Sequence, residues 1–475
     1  MMDSIALSVF PGEDGRMYES IPALLELVRD HARSWFETLS MRPVRASASS
    51  NQLDQSLGGP LPETGTPPAE VIASLAGAGT TGTIASAGPR YFGFVVGGSA
   101  PAALAADWLV STWDQNAGIF ALSPLASIIE RVTGSWLRDL AGLPATMSFG
   151  FVTGGHMANF TSLASARHRV LRKAGWDVEG NGLSGAPPIE ICVNEECHYT
   201  IFIALRLLGL GSDRVRKIPA DEQGRMRADH LATALRGISG PCIVCAQAGN
   251  VNTGAFDPLP AIADATQERG AWLHVDGAFG LWAAASPQYA HLVSGIERAD
   301  SVASDAHKWL NVPYDCGLVF CADEAAHRTA MSLAAAYIIA TGAERDPHEF
   351  VPEESRRARA VPVYAALRSL GRRGIAEMIE RNCRQARRFG EALRAAGFEV
   401  LNEVALNQVL VSFGTPQQTL ATITAIQRDG TCWCGGTVWQ GRTAMRISVC
   451  NWSTTDDDVE CSIDAIIRCA RSAAG

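Results

Sequence analysis

Residues 301–320 read SVASDAHKWLNVPYDCGLVF, and the rest of the chain is organised around them. Ser301–Ser304 is a short strand-like run, so Lys308, in Asp-Ala-His-Lys-Trp, stands just past a strand end. His307 and Trp309 flank it. Desolvation at such a place lowers a lysine's pKa and lets the neutral amine condense with an aldehyde. The competing reading is a surface lysine whose stem lies along apolar neighbours. The sequence upstream decides between the two.

Thirty-two residues before Lys308 lies a second apolar run, Trp272-Leu-His-Val-Asp-Gly-Ala-Phe, which leads into the carboxylate of Asp276. An acid at a strand end can hold a pyridine nitrogen protonated, which pyridoxal phosphate requires to act as an electron sink. The pair HVDGAFG and SDAHKWLNVPYDCG, at this spacing, resembles the group II pyridoxal-phosphate decarboxylases. That family includes the aromatic-amino-acid, histidine and glutamate decarboxylases. The resemblance runs from about residue 85 to the C-terminus. It implies an α/β protein of fold type I, the aspartate-aminotransferase type, with a large, mostly parallel sheet. The expected parts are an N-terminal helical segment and linker over 1–87, a cofactor-binding domain over 88–360 and a small α+β domain over 361–475. The implied cofactor is pyridoxal 5'-phosphate, held by Lys308, with Asp276 at its ring nitrogen.

Composition agrees with an enzyme of this size. The chain has 475 residues, 47% of them hydrophobic and 19% charged, and its mean hydropathy is +0.06. A net charge of −9 argues against a nucleic-acid surface, which needs a basic face. No run of 18 apolar residues free of charge occurs, and residues 1–15 lack the basic and apolar parts of a secretory signal. A membrane partner is therefore not expected. Twelve cysteines without a secretory signal point to a reducing compartment, the cytoplasm. Cys242-x-x-Cys245 has the spacing of a redox or zinc pair, but it lies inside an apolar run where strand geometry turns residues three apart to opposite faces. We read it, and Cys432-x-Cys434, as packing cysteines, and expect no metal site.

In chain order, residues 19–40 show apolar positions at helical spacing, and 45–68 reads as a loop or linker rich in Ser, Gly, Pro and Thr. The resemblance implies that the N-terminal helices pack across a partner subunit, hence a homodimer with its site at the interface. Helices are expected at about 101–114 and 124–140. The matching family segments place Phe94 and Ala100 at the substrate side chain, and Asn116 and Gly118 at the partner's site. Trp113, Phe92 and Phe94 supply aromatic surface there. Ala100, Asn116 and Gly118 depart from the bulkier residues of the aromatic-amino-acid decarboxylases, which leaves an acidic or polar substrate open.

Phe151-Val-Thr-Gly-Gly-His-Met leads into a helix over 157–174. Glycines at a strand-to-helix turn expose N–H groups, and the helix N-terminus adds positive potential, which together favour a phosphate. The resemblance places the cofactor phosphate at Gly155, His156 and Met157; His156 either donates to it or caps the turn. It also gives His198 a stacking role over the pyridine face, where the competing reading is a loop histidine. Ala278 would meet the opposite face, and Asn252, in Gly249-Asn-Val-Asn-Thr-Gly, is a further contact together with His307. Strand-like runs at 189–193, 241–248, 272–275, 301–304 and 317–321 alternate with helices, as in a buried parallel sheet. Sites in such sheets gather at the strands' carboxyl ends, so Asp276, His198 and Lys308 can converge.

After Phe320 a helical stretch is expected to reach Ala335, followed by a charged loop, TGAERDPHEFVPEE, that the resemblance marks as a lid. Tyr337 matches the tyrosine that protonates the carbon left by carbon dioxide; the other reading is a core aromatic. A long helix from about Pro362 precedes a small sheet at 398–413 and 431–450 and a last helix at 456–472. Arg446 matches a carboxylate-holding position of aminotransferases, or is structural. The expected activity is decarboxylation of an L-amino acid, aromatic or bulky apolar, to the amine. An aldehyde synthase, a glutamate-type decarboxylase and a non-catalytic homologue are the alternatives, and Lys308, Asp276, His198 and Tyr337 together favour simple decarboxylation.

Overall fold

The computed structural model describes residues 20–333 and 344–474. Its centre is a seven-stranded sheet made of β1 (Ser148–Val152), β2 (Glu190–Asn194), β3 (Arg216–Ile218), β4 (Cys242–Gln247), β5 (Trp272–Asp276), β6 (Ser301–Asp305) and β7 (Gly317–Cys321). The order is β1-β7-β6-β5-β4-β2-β3. From β6 through β5, β4 and β2 to β3 all neighbours are parallel, while β7 lies antiparallel between β6 and β1. Strands β4, β5, β6 and β7 are buried at every position. Helices cover both faces, which accounts for the continuous apolar runs in the sequence. Helix Gly155–Lys173 crosses the sheet against β5, β6 and β7 and buries Leu163, Ala164 and Ala166.

A second sheet, β8 (Glu399–Val400), β9 (Gln408–Ser412), β10 (Gly435–Trp439) and β11 (Arg442–Ser448), is antiparallel in the order β10-β11-β9-β8. Helices Pro416–Asp429 and Asp456–Ala474 pack with it around a separate apolar core that includes Phe389, Val411, Ile447 and Ile466. The two sheets are joined through Ala360–Ala395, a helix interrupted at Gly371, whose φ of 63° is open to glycine at little cost. Among the described residues, no helix is long and apolar enough to cross a membrane.

Two expectations need correction, and one strand was not anticipated. The stretch 45–68 is not loop throughout, because it contains helix Ser50–Leu57. Ser49 caps that helix by accepting from Gln52 N–H, and the Gln52 side chain accepts from Ser49 N–H in return, so local capping outweighs a composition poor in apolar residues. The helix after β7 is Glu324–Met331 and ends at an extended Ser332; the rest of the expected helical stretch lies outside the described residues. Strand β3, three residues long with two exposed, lies at the sheet edge and carried no apolar signal.

Candidate active site

The carboxyl ends of β1, β2, β4, β5 and β6 share one edge of the large sheet, since β1 runs with β6 through two antiparallel steps. Lys308, Asp276, His198 and the Gly154–Met157 turn each stand at or just past one of these ends. Lys308 follows β6 by three residues, and its amine lies 2.9 Å from Asp305 Oδ2, the side chain that closes that strand. The chain has only three lysines. Lys173 and Lys217 are exposed, whereas Lys308 is half-buried at the sheet edge. Burial disfavours the Lys308 ammonium, but Asp305 outweighs it and holds the pKa above the usual lysine value.

Asp276 ends β5 and is buried. Its Oδ1 accepts from the Ala278 N–H at 3.1 Å and its Oδ2 from the Asn159 amide at 3.0 Å. Its charge is felt at both His198 and Lys308, so the three side chains face a common space. His198 caps helix Tyr199–Leu207. Its Nδ1 lies 2.8 Å from Thr200 Oγ1, and burial lowers its pKa, so the ring is held neutral. His307 is also pushed down by burial; its Nδ1 accepts from Cys316 N–H at 3.2 Å, and its Nε2 lies 3.5 Å from Asp305 Oδ1.

The Gly154–Met157 turn packs against this group. A Cβ on Gly155 would come within 2.6 Å of Asp305 Oδ2, and one on Gly154 within 3.3 Å of the His307 ring. Among the described residues, helix Gly155–Lys173 begins here with no side-chain cap, and His156 Nε2 is buried without a hydrogen-bond partner. These free donors at a 19-residue helix's start fit a phosphate. Only Asp305, an anion beside the turn, runs against one, and Lys308 offsets its charge. The residues present therefore fit pyridoxal phosphate: a half-buried lysine, an acid for a ring nitrogen and an anion cup, all at one sheet edge.

The structure brings some of the remaining expected residues here and not others. Ala100 is buried, and its N–H donates to Asn311 O at 2.7 Å, while a Cβ on Gly97 would strike Lys308 O; the 97–100 segment thus lies on the backbone that carries the lysine. Phe94 is 62% exposed, and its ring stacks on Trp433 with centroids 5.7 Å apart. Its carbonyl accepts from Ser448 Oγ and from Arg446. Asn252 accepts from Thr437 Oγ1 at 2.9 Å, which links the loop after β4 to the small sheet. Asn116 and Gly118 are stitched to the segment 348–356: Asn116 Oδ1 accepts from Arg356 N–H, and Gly118 O from His348 N–H. Trp113 is not brought to Lys308 within the chain. It lines a cleft of about 280 Å³ with Val110, Pro124, Leu125 and Val361. Tyr337 lies outside the described residues.

Sequence reasoning passed over Asp305, although it stands in the opening motif at a spacing of three from Lys308, where side chains meet in a tight turn. It also missed Tyr314, whose ring lies 4.5 Å from that of His307, and Asn159, whose bond to Asp276 spans 117 residues. Arg446 is half-buried and donates only to the main-chain carbonyls of Val251 and Phe94; among the described residues no carboxylate pairs with it.

The model of the pyridoxal-dependent decarboxylase conserved domain matches residues 62–415. An L-2,4-diaminobutyrate decarboxylase of Rhizobium meliloti (strain 1021) is 29% identical over 427 residues, covering 87% of this chain and 84% of that protein. A cysteine sulfinic acid decarboxylase of Rattus norvegicus is 36% identical over 239 residues, about half of each chain. Among solved structures, Oryza sativa TDC with PLP and tryptamine superposes with a TM-score of 0.89 at 22% identity, over 95% of this chain and 98% of that one. Mouse CSAD gives 0.87 at 25% identity, over 95% and 99%.

Proposed function

Because the chain belongs to the pyridoxal-dependent decarboxylases, we propose that Lys308, Asp276 and His198 are its catalytic set and that its substrate is an L-amino acid with an aromatic or bulky apolar side chain. The convergence of these three groups at one sheet edge carries the reading. The enzyme is a carboxy-lyase that uses pyridoxal phosphate. When bound, the cofactor supplies a conjugated ring that takes up the electron pair released with carbon dioxide. Lys308 Nζ is the point of attachment. Asp276, oriented by two N–H donors, holds a proton at the ring nitrogen, and a charge preorganised in this way typically contributes about 3–4 kcal/mol. His198 and Ala278 bound the ring, and the Gly155–Met157 turn with His156 Nε2 takes the phosphate. By its place in the sequence, Tyr337 delivers the proton to the substrate's α-carbon.

The aromatic preference is supported by Phe94, exposed and stacked on Trp433, which itself stacks on Tyr91 at 5.0 Å. Such a stack offers a flat apolar platform beside Arg446 and Ser448. A second reading rests on Arg446. A guanidinium with no carboxylate partner among the described residues favours an anion, and clamping the departing α-carboxylate would oppose its loss. An anion held there would belong to the substrate side chain, giving an acidic substrate. One experiment separates the two: carbon dioxide release from all twenty amino acids and cysteine sulfinate with pyridoxal phosphate added. We expect release from tryptophan, tyrosine, phenylalanine or leucine; release confined to acidic substrates, and abolished by Arg446→Gln, would replace the first reading with the second. Stoichiometric amine, without peroxide or ammonia, distinguishes simple decarboxylation from aldehyde synthesis.

We further propose a homodimer. Helices Ile21–Thr38, Ser50–Leu57 and Pro68–Gly82 bury no residue within one chain, and they expose Leu25, Phe36, Val71 and Leu75. A second copy would cover that surface; a sedimentation mass of one 50.5 kDa chain would refute it.

A further inference from the structure

The buried polar groups behind Asp276 form one continuous chain whose proton directions are bounded at both ends, by a carboxylate that accepts and an indole that can only donate. The indole Nε1–H of Trp272 can only donate, and it does so to Ser301 Oγ at 2.9 Å. Asp276 accepts an N–H of Asn159, which turns the Asn159 oxygen to His274 Nε2 and leaves His274 Nδ1 to accept the Ser301 hydroxyl proton, 3.0 Å away. His274 is wholly buried on β5, in register with Ser301 on β6. Burial pushes its pKa down to about 4, so the ring is neutral; with Nδ1 accepting, its one proton is on Nε2. Nε2 lies 2.9 Å from Asn159 Oδ1, which accepts.

With the Asn159 oxygen turned to His274, the two N–H groups of the amide reach Asp276 Oδ2 at 3.0 Å and Thr200 Oγ1 at 3.3 Å. Thr200 Oγ1 in turn lies 2.8 Å from His198 Nδ1, which also receives the Thr200 N–H at 3.5 Å. Nδ1 of His198 is therefore the acceptor, and its proton is on Nε2.

We infer that Asn159 is a positioning residue for the decarboxylation: one amide, held by the Trp272–Ser301–His274 relay, orders both Asp276 and His198. The N–H to Asp276 Oδ2 fixes the orientation of the carboxylate that would sit opposite a protonated ring nitrogen. The other N–H leaves Thr200 only its hydroxyl proton to give, and so selects one tautomer of His198. This rests on the roles proposed above for Asp276 and His198.

The test uses holoenzyme loaded with ¹⁵N-labelled pyridoxal phosphate and reads the ring-nitrogen chemical shift, together with the cofactor dissociation constant. In the native protein the shift should be that of a protonated pyridine. Asn159→Leu, which keeps the volume and removes the amide, should move it toward the unprotonated value and weaken cofactor binding about tenfold, the range of a hydrogen bond to a charged group. Trp272→Phe removes a single N–H at the remote end; it should move the shift the same way by less, and it carries the test if Asn159→Leu does not fold. Asp276→Asn is the control. If Asp276→Asn moves the shift and a folded Asn159→Leu or Trp272→Phe does not, the relay is refuted while the role of Asp276 stands. If Asp276→Asn leaves the shift unchanged, the underlying reading falls and the relay with it.

Discussion

At Lys308 two opposing effects meet: burial disfavours the ammonium, and Asp305, 2.9 Å away, favours it and prevails. Only the neutral amine attacks an aldehyde, so a raised pKa slows capture of the cofactor at neutral pH. The sign follows directly. Below the raised pKa the reactive fraction grows about tenfold for each unit of pH, so capture by the cofactor-free protein should accelerate from pH 7 to pH 9. Asp305→Asn removes the partner that holds the proton and an anion beside the phosphate turn. It should speed capture at pH 7.5 by about tenfold, the effect of lowering the lysine pKa by one unit. Stopped-flow absorbance of the bound cofactor is the measurement, and slower capture would contradict the assignment. Asp305 was legible in the sequence as part of the motif, but not its role. Lys308 and Asp276 were readable because each ends a local apolar run. Asn159 was not, since nothing within its own helix signals a partner on a strand 117 residues away.

At the scale of elements, the segment 345–356 is pinned to the sheet by buried charge. Glu130, on helix Pro124–Leu140, pairs with Arg356 at 2.7 Å and Arg345 at 2.8 Å, and all three side chains are largely withdrawn from water. Arg356 also donates to Phe151 O on β1, and the Arg345 guanidinium lies between the Phe149 and Phe350 rings at 4.6 and 4.2 Å. These contacts join the chain that follows the expected lid to the strand that leads into the phosphate turn. Removing one partner of a buried charged group leaves the others uncompensated, which costs about 3–5 kcal/mol. Glu130→Ala should lower the urea unfolding free energy by about that amount; a loss below about 1 kcal/mol, the worth of a surface pair, would mean that water reaches the cluster. The sequence showed the charges of this segment but read them as loop. Its arginines become structural only because residues 130 and 149–151 lie beneath them, which no local pattern reveals.

For the whole molecule, the parallel sheet was readable because strands covered on both faces are continuously apolar, and the sheet edge followed from their direction. What escaped was at the margins: a three-residue edge strand, a short capped helix and the end of the helix after β7. Trp113, chosen for its aromatic ring, ends helix Pro101–Trp113 and lines a cleft with Val110 and Leu125. Catalysis depends on one covalent attachment, at Lys308, and a chain with only three lysines allows it to be checked directly. Holoenzyme reduced with borohydride and digested should carry the pyridoxyl mass on the peptide containing Lys308, with none on Lys173 or Lys217, and Lys308→Ala should lose both the mass and carbon dioxide release. A pyridoxyl adduct on Lys173 or Lys217, or visible absorbance of bound cofactor that persists in Lys308→Ala, would contradict it.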